Sequence, residues 1–177
     1  MKDICEKFCA VLEKHCKYVV ISGYVVIASG RPRGTVDIDV LIERMDRKRF
    51  TELNNDLMSA GFECMYTDSA DDIYDGYIEN NTSVRYMALN RPLPEMELIM
   101  AKDKLDELTL ATRKKIPSTE HDVWMSDINV NIAFKEEYLG SDKDMEDARH
   151  LRLVYKDIVN EEEINRIKNM IKKERMS

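Results

Sequence analysis

The run Val36-Asp37-Ile38-Asp39-Val40-Leu41-Ile42 constrains this chain more than any other stretch of it. Val36, Ile38, Val40 and Ile42 alternate as a half-buried strand requires, so Asp37 and Asp39 project from one face. Residues two apart on a strand lie about 7 Å from each other, close enough for both carboxylates to hold one divalent cation or to bridge two. Carboxylates set among buried strand residues repel each other unless a cation neutralises them. The plainer alternative is a chance Asp-x-Asp at a strand end facing water. The residues ahead favour the metal: strand-like Tyr18-Val19-Val20-Ile21, then Ser22-Gly23, Tyr24 to Gly30, and Arg31-Pro32-Arg33-Gly34-Thr35.

Taken together, residues 18–39 resemble the signature of the DNA polymerase β-like nucleotidyltransferase superfamily, nearest to its small AbiEii-type and related minimal branch. Those proteins show a strand, a Gly-Gly or Gly-Ser pair, a helix ending in Gly, and then Arg-x-Thr/Ser-x-Asp-x-Asp. Gly23, Gly30, Arg33, Thr35, Asp37 and Asp39 fall at the corresponding places without a gap. Ser22 stands where the first glycine is usual. By propensity alone, the β-branched residues around Ser22-Gly23 suggest a hairpin. Ser-Gly satisfies a two-residue turn only in part, and the resemblance implies a helix over 24–29 instead.

The resemblance implies an α+β nucleotidyltransferase fold, a mixed sheet flanked by helices with further helices at the C-terminus. It also implies transfer of a nucleotide from an NTP, ATP among them, to an acceptor hydroxyl. Asp37 and Asp39 would hold Mg²⁺, or alternatively Mn²⁺, with a third carboxylate on a neighbouring strand. Glu97, in Met96-Glu97-Leu98-Ile99, is the candidate, although relatives more often carry Asp there. Glu95 shares its strand face and competes with it, and both as solvent-facing strand residues is the plain alternative. Ser22, Gly23, Arg33 (with Arg31) and Thr35 would meet the phosphates. Lys143 to Leu151 resembles the Lys-Asp-x-x-Asp-x-x-x-Leu helix of this branch, which implies Lys143 near the phosphates and Asp147 holding it. A bare i,i+4 ion pair between Lys143 and Asp147 would be worth little. The acceptor stays open among RNA such as a tRNA end, a protein side chain and a small molecule, as does a toxin–antitoxin role. A non-catalytic binding or regulatory protein of the same fold is the main rival. A sugar-nucleotide transferase and a metal nuclease fit less well.

A length of 177 residues suits one domain, with a core over about 17–135 and a helical part over about 136–177. A net charge of −7 and a pI near 5.1 argue against nonspecific duplex binding through a broad basic surface. No apolar run reaches the length of a membrane span, and the start lacks the order of a secretory signal, so a cytoplasmic protein is expected. Cys5, Cys9, Cys16 and Cys64 complete no zinc set and read as reduced thiols. Periodicity predicts helices over 3–16, 46–60, 102–115, 143–156 and 161–174. Strands are expected over 18–21, 36–42, 83–89, 95–100 and 128–133, with Arg91-Pro92-Leu93-Pro94 as punctuation and 67–82 as an irregular, lid-like excursion.

Overall fold

The computed structural model describes residues 1–32 and 34–176. In chain order the elements are α1 (Lys2–His15), β1 (Tyr18–Val20), α2 (Gly23–Ala28), β2 (Asp37–Ile42), α3 (Arg47–Ser59), β3 (Phe62–Cys64) and α4 (Ala70–Ile73) running into a π turn (Tyr74–Ile78). Then come β4 (Val84–Ala88), β5 (Arg91–Met100), α5 (Lys104–Ala111), a 3₁₀ turn (Pro117–Thr119), α6 (Ile128–Ala133) running into a second π turn (Phe134–Leu139), α7 (Asp142–Val154) and α8 (Glu161–Arg175). The strands form one mixed sheet in the order β1-β2-β5-β4-β3, with β2 and β5 parallel and the other pairs antiparallel. This is the α+β architecture expected.

The sheet is covered unequally. Ile38, Val40, Ile42, Met96, Leu98 and Tyr86 turn toward α1 and α3, whose Phe8, Leu12, Phe50 and Leu53 are fully buried among them. The ring of Phe8 stands edge-on to Phe62 at 5.0 Å, and the one polar atom Tyr86 carries inward is satisfied, its hydroxyl donating to Asn54 Oδ1 at 2.8 Å. The opposite face carries only a small cluster, Val19, Leu41, Ala101 and Leu110, packed under α5. The acidic residues lie on this thinly covered face. Asp46 caps α3 by accepting from the Arg49 N–H at 2.9 Å, and Asn160 caps α8 through Glu163 N–H at 3.1 Å.

Four sequence expectations are corrected. Residues 128–133 form a helix, not a strand: Asp127 accepts from the N–H groups of Asn129 and Val130, and both the apolar residues and the asparagines are buried, so the apparent alternation marks no half-exposed strand. Residues 70–78 are ordered helix rather than a lid, anchored by fully buried Ile73 and Ile78 and tied to α3 through Arg47, Asp71 and Asp75. The run from Arg91 through Pro94 belongs to β5; pairing with β2 starts only at Glu95, so neither proline is asked for an N–H on that side. Strand β2 starts at Asp37, leaving Val36 exposed. The short β3 was not foreseen. All four cysteines are free thiols.

Candidate active site

Because β2 and β5 run parallel, their odd-numbered residues rise together on the thinly covered face, Asp37 level with Glu95 and Asp39 level with Glu97. One carboxylate oxygen each from Asp37, Asp39 and Glu97 lie within 4.8 Å of one another, and all three residues are half-buried. Glu95 falls outside that group. The three donors are all hard oxygens. A Mg²⁺ or Mn²⁺ ion held at about 2.1 Å wants its oxygens about 3–4 Å apart, a little closer than the upper bound of 4.8 Å within which these three already lie. The residues therefore fit a divalent cation.

Neighbouring side chains aim the carboxylates. Thr35 Oγ1 donates to Asp37 Oδ1 at 2.9 Å. Ser83 Oγ donates to Glu97 Oε1 at 2.5 Å. Arg85, on β4 opposite Glu97, sends one guanidinium nitrogen to Glu97 Oε2 and the other to Glu95 Oε2, each at 3.3 Å.

Beside Asp39 opens a cleft of about 270 Å³. Its floor is Ile21, Leu41 and Ile99, one wall is α5 at Leu105 and Thr109, and the other is the second π turn at Phe134 and Tyr138, with Ser22 and Lys135 also lining it. Ser22 precedes α2 with φ 60° and ψ −130°, backbone that glycine adopts freely and serine only under strain. That geometry accounts for the glycine usual at this place. The helix implied over 24–29 is present as α2, and Gly30 closes it at φ +89°.

Lys143 is exposed on the first turn of α7, and the lysine held by Asp147 is Lys135. Lys135 is 1% exposed, and its ammonium donates to Asp147 Oδ2 at 2.9 Å and Asp144 Oδ1 at 3.4 Å. Asp147 is fully buried and also accepts from Arg31, whose other nitrogen reaches Glu146 at 2.6 Å. Burial opposes the charge on Asp144, but hydrogen bonds from Ser141 and Lys135 outweigh it and hold the carboxyl below its ordinary range. Reading 128–133 as a strand hid Lys135. As a helix continued by a π turn, the segment carries that side chain inward to α7. Arg33 lies outside the described residues.

No protein-family model and no curated protein matches the sequence. Solved structures do match. The solution structure of the antibiotic-resistance factor ANT(2'')-Ia aligns over 99% of this chain and 95% of its own, with TM-score 0.59 and 12% identity. The crystal structure of ANT(2'')-Ia in complex with adenylyl-2''-tobramycin aligns over 97% of both chains, with TM-score 0.57 and 14% identity. An antigenic nucleotidyltransferase-like protein from Paracoccidioides brasiliensis aligns over 86% of this chain and 74% of its own, with TM-score 0.57 and 21% identity. At such identities the likeness speaks for the backbone alone: this chain has the fold of the nucleotidyltransferases.

Proposed function

We propose that this protein is a metal-dependent nucleotidyltransferase that moves a nucleotide from an NTP to an acceptor hydroxyl. The convergence of Asp37, Asp39 and Glu97 beside an open cleft carries the reading. These carboxylates would hold Mg²⁺ or Mn²⁺, which when bound neutralises phosphate charge and makes the acceptor hydroxyl easier to deprotonate. The backbone N–H groups at Ser22 and Gly23 would meet the phosphates, with Arg33 as the proposed guanidinium partner and Thr35 holding Asp37 by its hydrogen bond. Lys135, held by Asp147, takes the part that the resemblance gives to Lys143. That buried lysine–aspartate pair is also what favours the AbiEii-type branch.

A small hydroxylated molecule is our preferred acceptor. The cleft of about 270 Å³ lies just under the roughly 300–1,000 Å³ of drug-sized ligand sites and so suits a small acceptor better than a macromolecule, the chain's net charge of −7 disfavours a polyanionic RNA, and ANT(2'')-Ia is seen with adenylyl-2''-tobramycin. Four free thiols suit a reducing compartment, the cytoplasm. The non-catalytic reading draws support from one observation: both oxygens of Glu97 already have protein partners. The two readings part in one experiment. Each labelled NTP is incubated with the protein, Mg²⁺ or Mn²⁺ and a fractionated cell extract, beside the Asp39→Asn variant. Label entering a fraction with the parent protein but not the variant supports transfer. Metal-independent nucleotide binding without transfer leaves the non-catalytic protein.

A further inference from the structure

We propose that Arg85 is a built-in counter-cation of the acidic site, holding Glu97 while no divalent ion is bound and withdrawing onto Glu95 when one enters. This rests on the reading of Asp37, Asp39 and Glu97 as the metal ligands. Its consequence is regulatory: Arg85 sets how readily the site loads.

The register places Arg85 directly across from Glu97, and its two terminal nitrogens are divided between two carboxylates rather than paired with one. Both contacts are 3.3 Å, longer than the roughly 2.7–2.9 Å of a tight charge-assisted bond. A guanidinium stretched over two acceptors can leave one and keep the other. The side chain is 41% exposed while Glu95 and Glu97 are 18% and 17% exposed, so the arginine is the partner that water can take up. Glu97 stabilises its charged form most, with Glu95 and Asp37 adding to it; the guanidinium is thus felt as far as β2. Ser83 holds Oε1 and Arg85 holds Oε2, so an ion that takes Glu97 competes with one of them, and Arg85 is the partner that carries charge. Glu95 then has a task of its own, as the carboxylate that receives the arginine.

While Arg85 stays on Glu97, a unit positive charge about 6 Å from an incoming divalent ion costs it about tenfold in affinity at low ionic strength, even with the dielectric of water. The test titrates Mn²⁺ into nucleotide-free protein and follows free Mn²⁺ by electron paramagnetic resonance. Arg85→Gln should bind Mn²⁺ at least about tenfold more tightly than the parent, and Arg85→Lys, which keeps the charge, should stay within a few-fold of it. Circular dichroism and thermal melting establish that each variant is folded. Unchanged or weaker Mn²⁺ binding in folded Arg85→Gln overturns the proposal and makes Arg85 a residue that merely orients Glu97. Asp39→Asn, run alongside, separates the two levels: if it binds Mn²⁺ as the parent does, the metal-site reading itself fails.

Discussion

Among the described residues Asp147 ties the loop after α2 and the second π turn to α7 at one buried carboxylate, and removing it should be costly. Its carboxylate is fully buried between Arg31, from the loop after α2, and Lys135, from the π turn after α6. Asp147→Ala leaves Lys135, at 1% exposure, with the longer 3.4 Å contact to Asp144 among the described residues, while Arg31 keeps half-exposed company with Glu146. Breaking a buried pair and stranding a charge costs about 3–5 kcal/mol. The surviving partners put the expectation at the low end, about 3 kcal/mol. With a urea m-value of about 2 kcal/mol/M, the unfolding midpoint falls by about 1.5 M, and Tm falls by about 6–12 °C. Urea titration followed by circular dichroism measures the first, calorimetry the second. Asp147→Leu combined with Lys135→Met should recover part of the loss, because an apolar pair of similar volume carries no desolvated charge. A loss below about 1 kcal/mol, the worth of an exposed ion pair, would refute the argument that this is a buried keystone.

Ser22→Gly should raise stability by about 1 kcal/mol in the same titration, since it relieves left-handed strain at φ 60° at the lesser expense of glycine's chain entropy; a destabilised variant would contradict the strained backbone. Glu97→Gln should weaken Mn²⁺ binding and transfer severely while Glu95→Gln changes both only slightly, because Glu97 alone of the two groups with Asp37 and Asp39; the reverse order would shift the site by two residues. Asp144 and Glu136 both titrate below their ordinary values of 3.8 and 4.5, held down against burial by Ser141 and Lys135 in one case and by Arg152 and Lys168 in the other. Their contribution is complete above those ordinary values and is lost as pH falls through the lowered folded ones, so Tm measured from pH 5 down to pH 3 should drop less steeply in Glu136→Gln than in the parent.

Where side-chain period and burial agreed, the sequence was readable. Asp37 and Asp39 sit on one face because Ile38 and Val40 fill the other, and the apolar neighbours of Glu97 place it likewise. The helix at 24–29 opposed local propensity and could be read only through the pattern of Gly23, Gly30 and the acids, since a six-residue helix of β-branched residues owes its existence to burial of Tyr24, Val25 and Val26. Residues 128–133 misled for a related reason: in a segment buried on every side, Asn129 and Asn131 are polar without being exposed, bonding Asn160 and Ser126 instead of water. The Asp127 cap was the signal available. Lys135 and Arg85 were out of reach because their partners lie 9 to 12 residues away, across a topology that local pattern does not specify.

The parallel pairing of β2 and β5 also decides which sequence changes the site can survive. A slip of one residue between these strands would turn Glu97 into the core and bring Leu98 or Met96 out in its place, and the sheet would not tolerate it. A slip of two residues keeps every side chain on its own face and carries Glu95 toward the neighbourhood Glu97 now occupies. A Glu-x-Glu strand laid against an Asp-x-Asp strand thus keeps an acid level with Asp39 after a two-residue slip in that sense, where a strand bearing Glu97 alone would lose it, whereas the opposite slip brings Ile99 there.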